Sequence, residues 1–315
     1  MIALEITMMC VCGSWQALST IFFPSHHSLC RPPRVGDLMY AVEHVLSLDR
    51  APCVPDAPHD RHVVERLQRA KERVRVYMET IGEHAWRRVV HQDLPAWPVP
   101  RARPASRAYY KMWEMAHACV LPVPRTSLHL CEAPGGFVEA CLDAYGPALQ
   151  WRACSLLLDP SSRTPRFAPQ LAQSGRIWTP PPDARPSLAS CDLLDPRVRD
   201  ALVASAPRHG IDLVTADGAA PMDHSLLEES AAPLAEAQTD VALRVVAVGG
   251  TFVLKLFEVC EERTLAVVVT LCEQFANVSL MKPSMSRPTN SERYVVATGR
   301  LPRAACQEDE GDDDD

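Results

Sequence analysis

Lys255 interrupts an otherwise apolar run, Thr251-Phe-Val-Leu-Lys-Leu-Phe257, with the pattern of a buried strand. An ammonium group buried there without a partner costs several kcal/mol, so it needs a counter-charge or a shifted pKa. A desolvated lysine beside a second cation can lose its proton near neutral pH and act as a base. A lysine that only reaches out of the strand end would snorkel to water instead. Asp217 ends a second apolar run, Ile211-Asp-Leu-Val-Thr-Ala-Asp217-Gly. An acid there is poorly placed for a core and well placed for a ligand crevice, although Asp-Gly is also a common turn. A third run, Ser127-Leu-His-Leu, opens into Cys131-Glu132-Ala133-Pro134-Gly135-Gly136-Phe137. Two glycines between a strand and a helix let the backbone approach a ligand, and the helix N-terminus offers N–H groups to a carboxylate. The turn has neither the GxGxxG nor the GxxxxGK[ST] pattern, so neither a dinucleotide nor a P-loop site is favoured.

Short strands and helices must position these residues. Strands are predicted at Ser127–Glu132, Trp151–Leu158, Ile211–Thr215, Thr251–Leu256, Val278–Met281 and Arg293–Thr298. Helices are predicted at Ser106–Val120, Gly136–Tyr145, Ser225–Val248 and Arg263–Phe275, with residues 160–190 Pro- and Ser-rich and unpatterned. This alternation implies an α/β fold, a mostly parallel sheet with helices on both faces. Residues 1–105 read as a loop-rich, helical extension. A helix follows Asp60, with Val63, Leu67, Val74, Met78 and Ile81 as its apolar stripe, and a linker carries Pro95, Pro98, Pro100 and Pro104. Residues 301–315 read as a disordered acidic tail.

The chain of 315 residues carries a formal charge of −7, and seven acids between Glu308 and Asp315 account for that imbalance. Between Arg61 and Arg107 eleven Lys or Arg face five Asp or Glu, a basic segment suited to phosphate or to a solvated helix face. The twelve cysteines include no CxxC pair, which argues against a zinc ribbon. Cys12, His26, His27 and Cys30 have no common metal spacing, so no metal is expected. Free thiols fit a reducing, intracellular compartment. The apolar first 24 residues lack a basic start and contain Glu5, so a signal peptide or membrane span is not expected.

One further stretch, Lys282-Pro-Ser-Met-Ser286-Arg287-Pro-Thr-Asn-Ser-Glu292-Arg-Tyr-Val-Val, completes a set with Tyr109-Tyr-Lys111-Met-Trp-Glu114 upstream. Taken alone, Lys111 and Glu292 are unremarkable surface residues. Together with the Gly turn, Asp217 and Lys255, the order Lys, Asp, Lys, Glu resembles the FtsJ-like 2′-O-ribose methyltransferases. Among these it is most similar to the adrift-type and large-DNA-virus enzymes that act on the 5′ cap region of messenger RNA. The resemblance runs from about Ser106 to Gly299. It implies a Rossmann-like class I methyltransferase sheet, mostly parallel with an antiparallel last strand, in a catalytic domain over 106–300.

The resemblance also implies roles. Lys111, Asp217, Lys255 and Glu292 would form a catalytic tetrad in which the two acids hold both amines. S-adenosylmethionine would lie on Glu132, Ala133, Pro134, Gly135, Gly136 and Phe137. Asp159, in Leu156-Leu-Leu-Asp159-Pro, would take the ribose, Asp192 or else Asp195 the adenine amino group, and Asp217 would border the cofactor. Lys255, Ser286 and Arg287 would lie beside the RNA. The partners implied are capped mRNA, with other capping or transcription proteins and no membrane, and the expected residence is the nucleus rather than the cytoplasm. The 282–292 wording is similar to enzymes acting on the first transcribed nucleotide, and Leu-Cys-Glu-Ala-Pro-Gly to those acting on the second. Ribosomal or transfer RNA methylation, or an inactive RNA-binding scaffold, are the alternatives.

Overall fold

The computed structural model describes residues 99–302 apart from 120, 157–165, 181–190, 220–226 and 287–289, with single positions between 69 and 82. The N-terminal element, the acidic tail, Asp159 and Arg287 therefore lie outside the described residues. So do Cys12, His26, His27, Cys30 and the apolar stripe expected after Asp60. Residues 69, 72, 73, 76, 79 and 80 are helical and exposed.

Six strands form one sheet: β1 (Thr126–Leu130), β2 (Gln150–Ala153), β3 (Ile211–Ala216), β4 (Val246–Phe257), β5 (Phe275–Met281) and β6 (Glu292–Arg300). Their order is β2-β1-β3-β4-β6-β5. β2, β1, β3 and β4 run parallel, and β6 runs antiparallel to both β4 and β5. The predicted sheet is thus present, with its last strand reversed. Strand order switches direction between β1 and β3, the place where open α/β sheets hold ligands at their carboxyl ends.

Each face has its own core. α1 (Ala108–Ala118) and α2 (Gly136–Tyr145) cover one face, where Tyr109, Met112, Phe137, Val253 and Tyr294 pack together. α4 (Pro196–Ala204), α5 (Leu227–Val245) and α6 (Glu262–Gln274) cover the other, against Leu130, Val214, Phe252, Leu254 and Val295. On α6 the buried residues Thr264, Val267 and Leu271 recur at helical spacing. None of these helices has the length and apolarity to cross a membrane.

The sequence misses two elements. α3 (Pro169–Ala172) is one short turn inside the Pro-rich stretch, and α4 starts at a Pro in N1 with Asp195 as N-cap. Both were hidden because prolines that begin helices look like loop residues. β2 is shorter than expected and ends at Ala153. The end of the Pro-rich linker is pinned to α2. Arg101 makes two hydrogen bonds to Asp143 at 3.0 and 2.9 Å, and the Ala105 N–H donates to Glu139 at 2.6 Å. Tyr109 donates its hydroxyl to Asp143 at 2.8 Å, so α1 is fixed against α2 from its first turn.

Candidate active site

Side chains alternate along β4 and β6, and Lys255 is paired in register with Tyr294 while Phe257 is paired with Glu292. Lys255, Phe257, Glu292 and Tyr294 therefore share the face under α1. Lys255 is 8% exposed. Its Nζ donates to the Asp217 carbonyl at 2.8 Å and lies 3.2 Å from Asp217 Oδ1. From α1, Lys111 Nζ reaches Glu292 Oε1 at 2.5 Å. Burial alone would raise the Glu292 carboxyl. The ammonium groups of Lys111 and Lys255, with hydrogen bonds from Lys111 and Ser286, hold it below the ordinary carboxylate value instead. The four predicted tetrad residues thus meet as two ion pairs at the carboxyl end of β4.

Tyr294 joins the two pairs. Its hydroxyl donates to Asp217 Oδ1 at 2.7 Å and accepts from Lys111 Nζ at 3.4 Å. Burial and the negative charges of Asp217 and Glu292 push this phenol well above its ordinary value, so it remains a donor. Its role was not read from the sequence. The signal available was its place two residues after Glu292, on the same strand face.

The Gly turn is built differently from expectation. Gly135 sits at φ +117°, a conformation L side chains rarely adopt, and Leu171 of α3 occupies the space a Cβ would need. Gly136 lets α2 approach α1: a Cβ there would lie 2.7 Å from the Tyr109 backbone nitrogen. Two of the first N–H groups of α2, those of Phe137 and Val138, are not free for a ligand. Glu132 Oε1 accepts from Phe137 N at 2.8 Å and Val138 N at 3.1 Å, so the chain caps this helix with its own carboxylate. Burial pushes the Glu132 carboxyl up to about 8 against those two bonds. Phe137 is fully buried, with its ring 6.0 Å from that of Tyr294. Its side chain therefore belongs to the core rather than to a ligand wall.

The candidate acids separate clearly. Asp195 accepts from Arg197 N at 2.9 Å and pairs with the Arg197 guanidinium at 2.6 Å, so its carboxylate is spent on capping α4. The Asp192 carboxylate accepts a turn N–H, from Leu194 at 2.9 Å. Cys131, just past β1 with φ +54°, is partly buried, and desolvation pushes its thiol up to about 12. Beyond burial, that thiol feels Lys255, Asp217, Asp192 and Glu132. Lys255 and the carboxyls of Asp217, Asp192 and Glu132 therefore all lie near this thiol, with Glu132 protonated near neutral pH.

The chain matches the FtsJ-like methyltransferase family over residues 104–300. It belongs to that family. It is 30% identical over 205 residues to "Cap-specific mRNA (nucleoside-2′-O-)-methyltransferase 2" of Drosophila melanogaster, covering 60% of this chain and 29% of that protein. It is 28% identical over 221 residues to "Probable methyltransferase EP424R" of African swine fever virus strain Badajoz 1971, covering 64% and 50%. Over 103 residues it is 37% identical to "Cap-specific mRNA (nucleoside-2′-O-)-methyltransferase 1" of Mus musculus, covering 32% and 12%. The matched part thus spans half or less of each of these relatives.

FtsJ-like methyltransferases use S-adenosylmethionine, a cofactor with a cationic sulfonium and ammonium. Asp192, near Cys131 past the carboxyl end of β1, fits such a group, and the backbone of residues 133–136 follows the same strand end. Of the residues expected beside RNA, Ser286 is turned inward. It is 2% exposed and its hydroxyl donates to Glu292 Oε1 at 2.8 Å. Its contribution is to hold Glu292 on Lys111, because a buried hydroxyl takes the nearest acceptor. Tyr109 is core, while Tyr110 and Trp113 are partly buried against it.

Proposed function

We propose that this FtsJ-like chain transfers a methyl group from S-adenosylmethionine to the ribose 2′-hydroxyl of the first or second transcribed nucleotide of capped mRNA. The observation that carries this reading is the buried pair of ion pairs, Lys111–Glu292 and Lys255–Asp217, linked through Tyr294. A buried four-charge cluster returns little net stability, so its presence favours a chemical role. The names of the relatives support the substrate.

The cofactor supplies a methyl group already activated by the sulfonium charge. Asp192 and the backbone of residues 133–136 would hold it at the β1–β3 mouth. The chain then has to align the 2′-oxygen and stabilise its charge. Asp217 fixes Lys255 Nζ through both its carbonyl and its carboxylate. Lys255 accepts or steers the hydroxyl proton. Glu292 holds the Lys111 ammonium close by, and the two cations offset the negative charge that grows on the oxygen. The requirement for a 2′-hydroxyl selects RNA over DNA.

The test is methyl transfer from labelled S-adenosylmethionine to short RNAs, capped and uncapped, with Lys255→Ala alongside. Transfer to capped RNA alone, blocked by a 2′-deoxy at nucleotide one or two and lost in the variant, is the expected result. Equal transfer to uncapped RNA would point to ribosomal or transfer RNA. No transfer by the folded protein would leave only an RNA-binding scaffold.

A further inference from the structure

Residues 282–286 follow β5 outside the sheet, so their N–H groups need partners other than a strand: Ser286 N donates to the Pro283 carbonyl at 2.9 Å, and side chains take others. α1 supplies much of this. Glu114 is 2% exposed, and its carboxylate accepts three hydrogen bonds from one stretch. They come from Ser284 N at 2.8 Å, Ser284 Oγ at 2.8 Å and Met285 N at 3.4 Å. One turn earlier, Lys111 holds Glu292 at the far end of the same stretch. At the start of α1, Arg107 Nη2 donates to the Met285 carbonyl at 3.3 Å. Positions 107, 111 and 114 share one helix face, opposite the core stripe of Tyr109, Met112 and Ala116. Lys282 closes the base of the loop by donating to the Asn290 carbonyl and, at 3.4 Å, to that of Glu292.

We propose that Glu114 is a positioning residue: it ties the 284–286 stretch to α1 so that Ser286 and Glu292 meet Lys111 and the loop is pre-set for RNA. The inference rests on the function proposed above for its RNA part, because this loop carries the residues expected beside the substrate. Its geometric part stands without that function. The hydrogen bonds of the Glu114 carboxylate go to Ser284 and Met285, and to neither the β1–β3 mouth nor a tetrad side chain. Removing its carboxylate should release the loop and leave the cofactor side unchanged.

The experiment uses the full chain with Glu114→Ala, Glu114→Gln, Ser284→Ala and the double variant Glu114→Ala/Ser284→Ala. Hydrogen–deuterium exchange of peptides over 282–292 and over β1–α2 is read without RNA. KM for capped RNA and Kd for S-adenosylhomocysteine are then measured. For Glu114→Ala, exchange should rise in 282–292 alone, and KM for RNA should rise about ten-fold or more, the scale of lost hydrogen bonds to a charged group. Kd for S-adenosylhomocysteine should stay within about two-fold, since none of the lost hydrogen bonds reaches the cofactor mouth. Ser284→Ala should have a smaller effect and add little in the Glu114→Ala background, because the two residues share one bond network. Glu114→Gln, which keeps the length and one acceptor, should fall between, and it carries the test if alanine does not fold. Unchanged exchange in 282–292, or fully additive effects, would overturn the positioning role. So would equal loss of RNA and S-adenosylhomocysteine binding. If the wild type methylates no capped RNA while exchange still rises selectively, the proposed function fails and the positioning of the loop stands.

Discussion

The two faces of the sheet are built from the same strands and do opposite work. Toward α4, α5 and α6 the strands present Leu128, Leu130, Val214, Phe252, Leu254 and Val295, a mostly apolar surface. Toward α1 and α2 the alternate positions include Ser127, His129, Thr215, Lys255, Glu292 and Tyr294. All of these polar residues are buried. One face gains from burial at about 25 cal/mol per Å² of apolar area. The other must satisfy each buried polar group with a partner and gains little net stability from doing so. A period of two lets adjacent residues serve these ends independently, and Leu254 and Lys255 are the sharpest such neighbours.

Substituting those neighbours tests the separation most strongly. The double variant Lys255→Met/Asp217→Asn removes both charges of one pair and leaves no unpaired ion. Methyl transfer should fall on the order of 10³-fold, while stability by urea unfolding changes little or rises. Leu254→Ala should show the reverse. It should lose about 2–5 kcal/mol of stability with kcat of the remaining folded protein within a few-fold of wild type. If Leu254→Ala instead lowers kcat as far as the charge-removing variant does, the two faces are not separable in function.

Tyr294→Phe asks whether the active face works as two pairs or one network. It deletes only the hydroxyl between Asp217 and Lys111. A loss of about ten-fold in kcat, matching one hydrogen bond to a charged group, with unchanged melting temperature, would identify a single network. No change in kcat would mean that the two ion pairs act alone.

Much of this face was legible in advance, for a physical reason. Lys255 stands out because it violates an apolar run, and Asp217 because it ends one. Lys111 and Glu292 violate nothing, and they were found only through their resemblance to a family pattern. Tyr294 and Glu114 stayed hidden. A buried tyrosine on a strand and a glutamate on a helix fit their elements, and their roles arise only from contacts across 77 and 170 residues of sequence. Glu132 and Ser286 were read as facing ligands because their motifs lie at the site. Their side chains turn inward because nearby backbone and carboxylate groups need partners. On the apolar face the strands and long helices followed from periodicity, and α3 and α4 escaped because each begins with proline.

The smallest expected effect concerns the polar ladder beneath the tetrad. His129 is fully buried, with Nδ1 2.8 Å from Thr215 Oγ1 and Nε2 2.9 Å from Ser127 Oγ. Burial lowers its pKa from 6.5 to about 3. Between those values the unfolded chain binds a proton that the folded chain refuses. The contribution of His129 is therefore fully present above pH 6.5 and is lost as pH falls toward 3, by at most about 1.4 kcal/mol per pH unit. Glu132 acts with the opposite sign. It holds its proton up to about pH 8 in the folded state, so its contribution declines as pH rises from 4.5 to 8. The stability difference between wild type and His129→Gln cancels that background. By urea unfolding the difference should shrink steadily from pH 7 to pH 5. A constant difference would mean that His129 takes up a proton inside the fold as readily as in the unfolded chain, with both hydroxyls then as acceptors, and that the buried side of this face tolerates a cation.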